Sequence, residues 1–213
     1  MPTVSPLQQA RAAYQPKLPA VFSENGMNVT LEEGAATTAV ADQNAVKDIF
    51  PNTYGLPTVS FAPGGATGSD SAITIGVILS GGQAPGGHNV IAGLFDGLKA
   101  LNPDNTLYGF LKGPDGLLKN QYQVLDAETI DAYRNTGGFD IIGSGRTKLE
   151  GTDQFDEVIK NCHALDITGL VVIGGDDSNT NACLLAEYCR RQDAGIHVVG
   201  CPKTIDGDLR NEQ

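Results

Sequence analysis

Residues 169–191 read GLVVIGGDDSNTNACLLAEYCRR, and two periodicities meet inside them. Leu170, Val171, Val172 and Ile173 form an apolar run without alternation, rich in β-branched residues and bounded by glycine. That pattern predicts a strand of a parallel sheet, buried on both faces. Gly174 and Gly175 end it. Asp176 and Asp177 follow, then Ser178-Asn179-Thr180 as helix-start residues, then Ala182, Leu185, Ala186 and Cys189 at helical spacing. Carboxylates and free backbone N–H groups therefore fall together where a strand becomes a helix, the place where an open α/β sheet binds ligands. Two bare carboxylates would repel a phosphate, so their presence points to metal-assisted anion binding.

Outward from this stretch, from Ala72 onward, the same alternation recurs. Strands are predicted at 72–79, 106–111, 122–125, 139–142 and 195–200, and helices at 90–101, from Asp126 to Arg134, and at 152–165. Residues 112–120 and 201–213 read as loops. Such a series specifies an α/β fold with a parallel sheet covered by helices on both faces. Residues 1–70 differ. Proline recurs at Pro2, Pro6, Pro16, Pro19, Pro51, Pro57 and Pro63, and one short helix is suggested near Asp42–Phe50. These residues read as an irregular N-terminal arm ending in the flexible connector Pro63–Asp70, with 71–213 as the ligand-binding domain.

Composition narrows the function. Twenty-five acidic against fourteen basic residues give a net charge of −11, which argues against nucleic acid as a partner. No apolar run is long enough to cross a bilayer, and the N-terminus lacks the order of a secretory signal, so a cytoplasmic protein is expected and a transit peptide is weakly supported. Cys162, Cys183, Cys189 and Cys201 contain no CxxC pair and read as buried thiols. His88, His163 and His197 form no cluster with them.

Four loops at strand ends carry the chemistry. Ser80–Asn89 (SGGQAPGGHN) is neither a P-loop nor a dinucleotide fingerprint. Its glycines let backbone approach a ligand, and its N–H groups suit phosphate oxygens, although tight packing alone would also explain it. In Gly143–Lys148 (GSGRTK), Arg146 can meet a phosphate with a planar fork of donors, or can be a solvated surface residue. Asp176 and Asp177 can be a helix-dipole pair. Mg²⁺ ligation reads better, because Ser178–Thr180 already supply caps. In Cys201–Asp208 (CPKTIDGD), Asp206 is the candidate general base for an acceptor hydroxyl and Lys203 the cation that offsets charge on the transferring group. Asp208 would orient the acceptor or share the metal.

Together, SGGQAPGGHN, GSGRTK, GGDDSNTNACLLAE and CPKTIDGDL resemble the pyrophosphate-dependent phosphofructokinase family, and most closely its catalytic beta-type subunits. The resemblance covers about residues 50–209. It implies transfer of phosphate from inorganic diphosphate to the C1 hydroxyl of fructose 6-phosphate, a reversible glycolytic step. It further implies that Gly82 and Arg146 contact the diphosphate, that Asp176 binds Mg²⁺, and that Thr204, Ile205 and Asp206 lie against the sugar phosphate, with Asp206 accepting the proton. ATP-using relatives resemble this chain but carry glycine where it has Asp177, and usually where it has Lys203. An acid at 177, opposite Lys203, would occupy the α-phosphate position and favour the smaller donor. In the family a second large segment follows the TIDGD loop and supplies most sugar contacts. The chain is therefore expected to be an incomplete donor half, inactive alone, from a protein that is a homo- or hetero-oligomer at full length. The alternatives are an ATP-dependent 6-phosphofructokinase and a non-catalytic or regulatory subunit.

Overall fold

The computed structural model describes residues 4–65 and 71–204. In the N-terminal part, helices α1 (Pro6–Ala13) and α2 (Ala20–Asn25) precede strand β1 (Val29–Ala36), helix α3 (Gln43–Ile49) and strand β2 (Pro57–Pro63). Then follow β3 (Thr74–Ser80), α4 (Gly87–Leu101), β4 (Thr106–Phe110), α5 (Pro114–Lys119), β5 (Tyr122–Val124), α6 (Ala127–Tyr133) and β6 (Ser144–Gly145). The last four elements are α7 (Thr152–His163), β7 (Ile167–Gly174), α8 (Asp176–Arg191) and β8 (His197–Pro202).

The larger sheet has the order β5-β4-β3-β7-β8, with β6 paired to the end of β3. All its pairings are parallel except β4 with β5. The apolar runs of β3 and β7 are buried on both faces because side chains alternate sides. Ile78, Leu170 and Val172 join a core with Phe155 and Val158 of α7 and Leu185 and Tyr188 of α8. Val77, Leu79 and Ile173 join a second core with Ile91 and Phe95 of α4 and Ile130 of α6. Helices thus cover both faces, as the sequence leads one to expect.

Four local expectations are corrected. Residues 112–120 contain α5, started by Pro114, whose fixed φ suits a first helical turn, and ended by Asn120 in the left-handed region (φ 50°). Residues 139–142 form no strand, although Phe139, Ile141 and Ile142 are buried and only Asp140 is exposed. Two of their N–H groups, those of Asp140 and Ile141, are taken by the His88 ring at 2.9 and 3.0 Å, and Gly143 (φ +64°) turns the chain into β6. Helix α8 begins at Asp176 with Gly175 as N-cap, so Ser178–Thr180 lie inside the helix and do not cap it. The fourth correction concerns the arm. It is not irregular: β1 and β2 pair antiparallel from Val29↔Pro63 to Ala36↔Pro57.

That arm is tied to the larger sheet's helices by polar contacts. The Glu187 carboxylate of α8 accepts from the Asn52 amide at 3.0 and 3.1 Å, from the Asn52 side chain, and from Thr53 Oγ1 at 2.9 Å. Arg190 Nη1 donates to Asn52 O at 3.1 Å, and Asn135 Nδ2 donates to the carbonyls of Arg11 and Tyr14.

Candidate active site

Register decides where the site forms. Ser80 at the end of β3 pairs with Gly145 on one side and Gly174 on the other, and Gly174 pairs with Pro202 of β8. Four strands therefore stop on one line, and the segments leaving them emerge side by side. Cross-links fix the line: Gly81 N donates to Gly145 O (2.8 Å), and Lys203 N to Gly174 O (2.9 Å). Between β7 and α8 the turn is too tight for any side chain at Gly174, where a Cβ would lie 2.4 Å from Ser178 Cβ and 2.9 Å from Ser80 O. Ser178 and Ser80, both buried, bond through their hydroxyls at 2.9 Å, clasping the start of α8 to the end of β3.

A cleft of about 370 Å³ opens above this line. Gly81, Gly82, Arg146, Lys148, Gly175, Asp176, Asp177 and Lys203 line it, with Ser80, Thr147, Ser178 and Asn181. Asp176 and Asp177 occupy the first turn of α8, where the helix dipole favours negative charge. Gly82 and Arg146 are brought together, since a Cβ on Gly82 would lie 3.2 Å from Arg146 Nη2. The Lys203 ammonium sits within 4.0 Å of the Cβ positions of both Gly81 and Gly175, and 5.7 Å from the Phe139 ring centre. The lysine in ion-pair contact with Asp177 is Lys148, at 3.5 Å from Nζ to Oδ2. Thr204 is exposed beside Lys203. Ile205, Asp206 and Asp208 lie outside the described residues.

Three features of this region had no assigned role in the sequence reading. Asn181 accepts from Leu149 N (2.9 Å) and donates to Leu149 O (2.7 Å), pinning the segment after Arg146 to α8. Thr147 Oγ1 donates to Asp115 at 2.8 Å. The Asp115 carboxyl is held below its ordinary pKa by hydrogen bonds from Lys119 and then Thr147. His88, 3% exposed, joins the glycine loop to residues 136–141. Its Nε2 accepts from the Asp140 and Ile141 amides, so the proton sits on Nδ1, which bonds Thr136 Oγ1. Asp140 Oδ1 also lies 3.0 Å from Nε2, but burial outweighs its pull and keeps the ring's pKa below the ordinary 6.5, so the neutral ring is the state that fits both N–H donors. A histidine within a glycine run was the only sequence signal for this clasp.

Cys162 and Cys189 are buried, with burial pushing their thiols up to about 12 and about 11; Cys201 is half-buried and Cys183 exposed, against the expectation of four buried thiols. All four are free.

The phosphofructokinase family profile matches residues 74–213, spanning every strand that ends at the cleft. The chain belongs to the phosphofructokinase family. A Porphyromonas gingivalis relative named pyrophosphate–fructose 6-phosphate 1-phosphotransferase is 62% identical over 209 residues, 98% of this chain and 38% of that protein. The Arabidopsis thaliana beta 1 subunit of the enzyme of that name is 54% identical over 179 residues, 84% of this chain and 32% of its own length. Among solved structures, the pyrophosphate-dependent phosphofructokinase of Nitrosospira multiformis superposes with a TM-score of 0.59 at 22% identity, over 65% of this chain and 35% of that one. The chain thus spans less than two-fifths of the curated relatives it matches, and its likeness to that structure lies in the fold.

Proposed function

We propose that the complete protein carrying this chain transfers a phosphoryl group from inorganic diphosphate to the C1 hydroxyl of fructose 6-phosphate, with residues 71–213 as the donor-binding unit and 1–70 as an arm. The observation that carries this reading is Asp177, a carboxylate in the first turn of α8 at the cleft, ion-paired to Lys148. A donor with a third phosphate would have to displace that carboxylate or lie against it, whereas a two-phosphate donor meets Arg146, Lys203 and the backbone N–H groups of the glycine loop.

The donor set suits Mg²⁺. Among the described residues no group of three or more His, Cys, Asp or Glu could cage a metal, and Mg²⁺ is ordinarily held by one or two carboxylates with waters and substrate phosphates. Asp176 would hold it, with Asp177 adjacent. When bound, the ion would neutralise charge on the diphosphate oxygens. Gly82 and the neighbouring backbone N–H groups, with Arg146 and Lys203, hold and orient those oxygens. In this reading Thr204, Ile205 and Asp208 bind the sugar phosphate, and Asp206 takes the C1 hydroxyl proton as the hydroxyl oxygen bonds phosphorus. The bond to the bridging oxygen breaks and inorganic phosphate leaves, with Lys203 balancing its charge.

The acidic composition argues against nucleic acid, and no helix among the described residues is long and apolar enough to cross a membrane; a cytoplasmic location is part of this proposal. Relatives named as subunits support an oligomer. The test is donor use by the complete protein, read as fructose 1,6-bisphosphate formed. Diphosphate supports turnover and ATP does not; Asp177→Gly admits ATP, raising its kcat/KM by about a hundredfold, the scale of removing a charged obstacle worth several kcal/mol. Equal use of both donors by the unmodified protein would overturn the reading.

A further inference from the structure

We propose that Lys148 is a positioning residue for donor selectivity: its ammonium holds the Asp177 carboxylate across the mouth of the cleft, where it discriminates between inorganic diphosphate and a nucleoside triphosphate. The inference deepens the diphosphate reading above and rests on it.

The geometry begins with the backbone on either side of Lys148. Thr147 is bonded to Asp115 (2.8 Å), and Leu149 is bonded through both its N–H and C=O to the Asn181 side chain. Asn181 stands four residues after Asp177 on α8, and residues so spaced share one helix face. Pinning Leu149 to Asn181 therefore lays Lys148 alongside the preceding turn, where its Nζ meets Asp177 Oδ2 at 3.5 Å. Asn181, Lys148 and Asp177 all line the cleft.

Two consequences follow for an incoming anion. Asp176 and Asp177 put two negative charges at the entrance, and Lys148 partly screens the one that does not have the metal role while leaving its carboxylate in the donor's way. It also restricts the side-chain positions open to Asp177, which is otherwise free to swing into solvent. The two side chains are 56% and 77% exposed, so the pair adds little to fold stability and its removal is a clean probe of selectivity. When a donor enters and excludes water, the same pair acts in a lower dielectric and counts for more.

The experiment measures kcat/KM for diphosphate and for ATP in the complete protein carrying Lys148→Met, Lys148→Arg, Asp177→Gly and the Lys148→Met/Asp177→Gly pair. Lys148→Met is expected to shift the diphosphate-to-ATP ratio toward ATP by about tenfold, an ordinary coupling between contacting residues. The diphosphate loss should fall mainly on KM, and Lys148→Arg should restore most of the ratio. In the Asp177→Gly background Lys148→Met should change the ratio by less than about twofold, because the coupled partner is gone. An unchanged ratio in Lys148→Met, while Asp177→Gly alone admits ATP, overturns this inference and leaves the diphosphate reading standing. An equal shift in both backgrounds also overturns it, since Lys148 would then act on the donor directly. A parent protein that prefers ATP overturns the diphosphate reading itself.

Discussion

In the larger sheet Val77, Leu79, Leu107 and Ile173 are sealed between strands and helices, whereas on the β1–β2 ribbon Leu31, Val59 and Phe61 are each more than half exposed. Val29 is the arm's only buried residue among those described. A two-stranded ribbon without a covered face is marginal on its own. Its shape therefore depends on local pairing, on the Phe22–Phe61 edge contact (5.0 Å), and on the ties from Glu187, Arg190 and Asn135. The same apolar residue types do different work in the two regions. Around the sheet they hold four strand ends in line, and that alignment builds the cleft; in the arm they hold almost nothing inside this chain.

Matched truncations measure the contrast. Phe110 is fully buried in the core under α5 and α7, and Phe110→Ala is expected to cost about 3–5 kcal/mol in denaturant unfolding. Phe61→Ala should cost about 1 kcal/mol or less, its contribution being one edge-to-face contact and partial burial. Comparable losses would break the contrast and mean that the ribbon folds as part of the same cooperative unit.

Burial also explains what could be read from the sequence. β3 and β7 are two-faced strands whose apolar runs stand out, and α4, α7 and α8 bury one stripe each, so their type and order were legible, as was the Asp126 cap, which accepts from Thr129 N. β1 and β2 carry no buried alternation, so nothing in their pattern announced a ribbon. Residues 139–142 failed for the opposite reason. They are as apolar as a strand, but two of their N–H groups go to a histidine fifty residues away, a pairing that no periodicity encodes. At the cleft, Asp176, Asp177, Arg146, Gly82 and Lys203 were found by position after a strand and do converge. The Lys148–Asp177 pair was not, because it depends on how Asn181 sets the neighbouring segment against α8.

The arm's polar tie offers a sharper division. Glu187 is 6% exposed and accepts every hydrogen bond that reaches it from Asn52 and Thr53. Glu187→Ala should release this segment at a cost of about 1–3 kcal/mol, read as faster amide exchange at Asn52 and Thr53 with little change at β3 and β7. Burial alone would push the Glu187 carboxyl up, but the hydrogen bonds from Asn52 and Thr53 outweigh it and leave it below the ordinary 4.5. The stabilisation is therefore present above pH 4.5 and lost as pH falls through the lower folded value. Slow exchange at Asn52 that survives Glu187→Ala would show that apolar packing holds the arm after all.

The smallest effect comes from the clasp on the other side of the comparison. His88 is neutral in the folded chain, with burial lowering its pKa below 6.5 against the opposing pull of Asp140. An unfolded chain takes up that proton as pH drops below 6.5 while the folded one does not, so stability falls with pH from there and levels off below the folded value. The loss is at most about 1.4 kcal/mol for each pH unit crossed. Urea midpoints at pH 7.5 and 5.5 should therefore differ more in the parent chain than in His88→Gln, which offers an acceptor without the titration. Because the His88 linkage begins below pH 6.5 and that of Glu187 only below pH 4.5, acid should loosen residues 136–141 beside the glycine loop before it frees the arm. Equal pH slopes in the parent and His88→Gln would mean that the folded ring takes up its proton as readily as the unfolded one, and that the link between the glycine loop and residues 136–141 does not depend on the neutral ring.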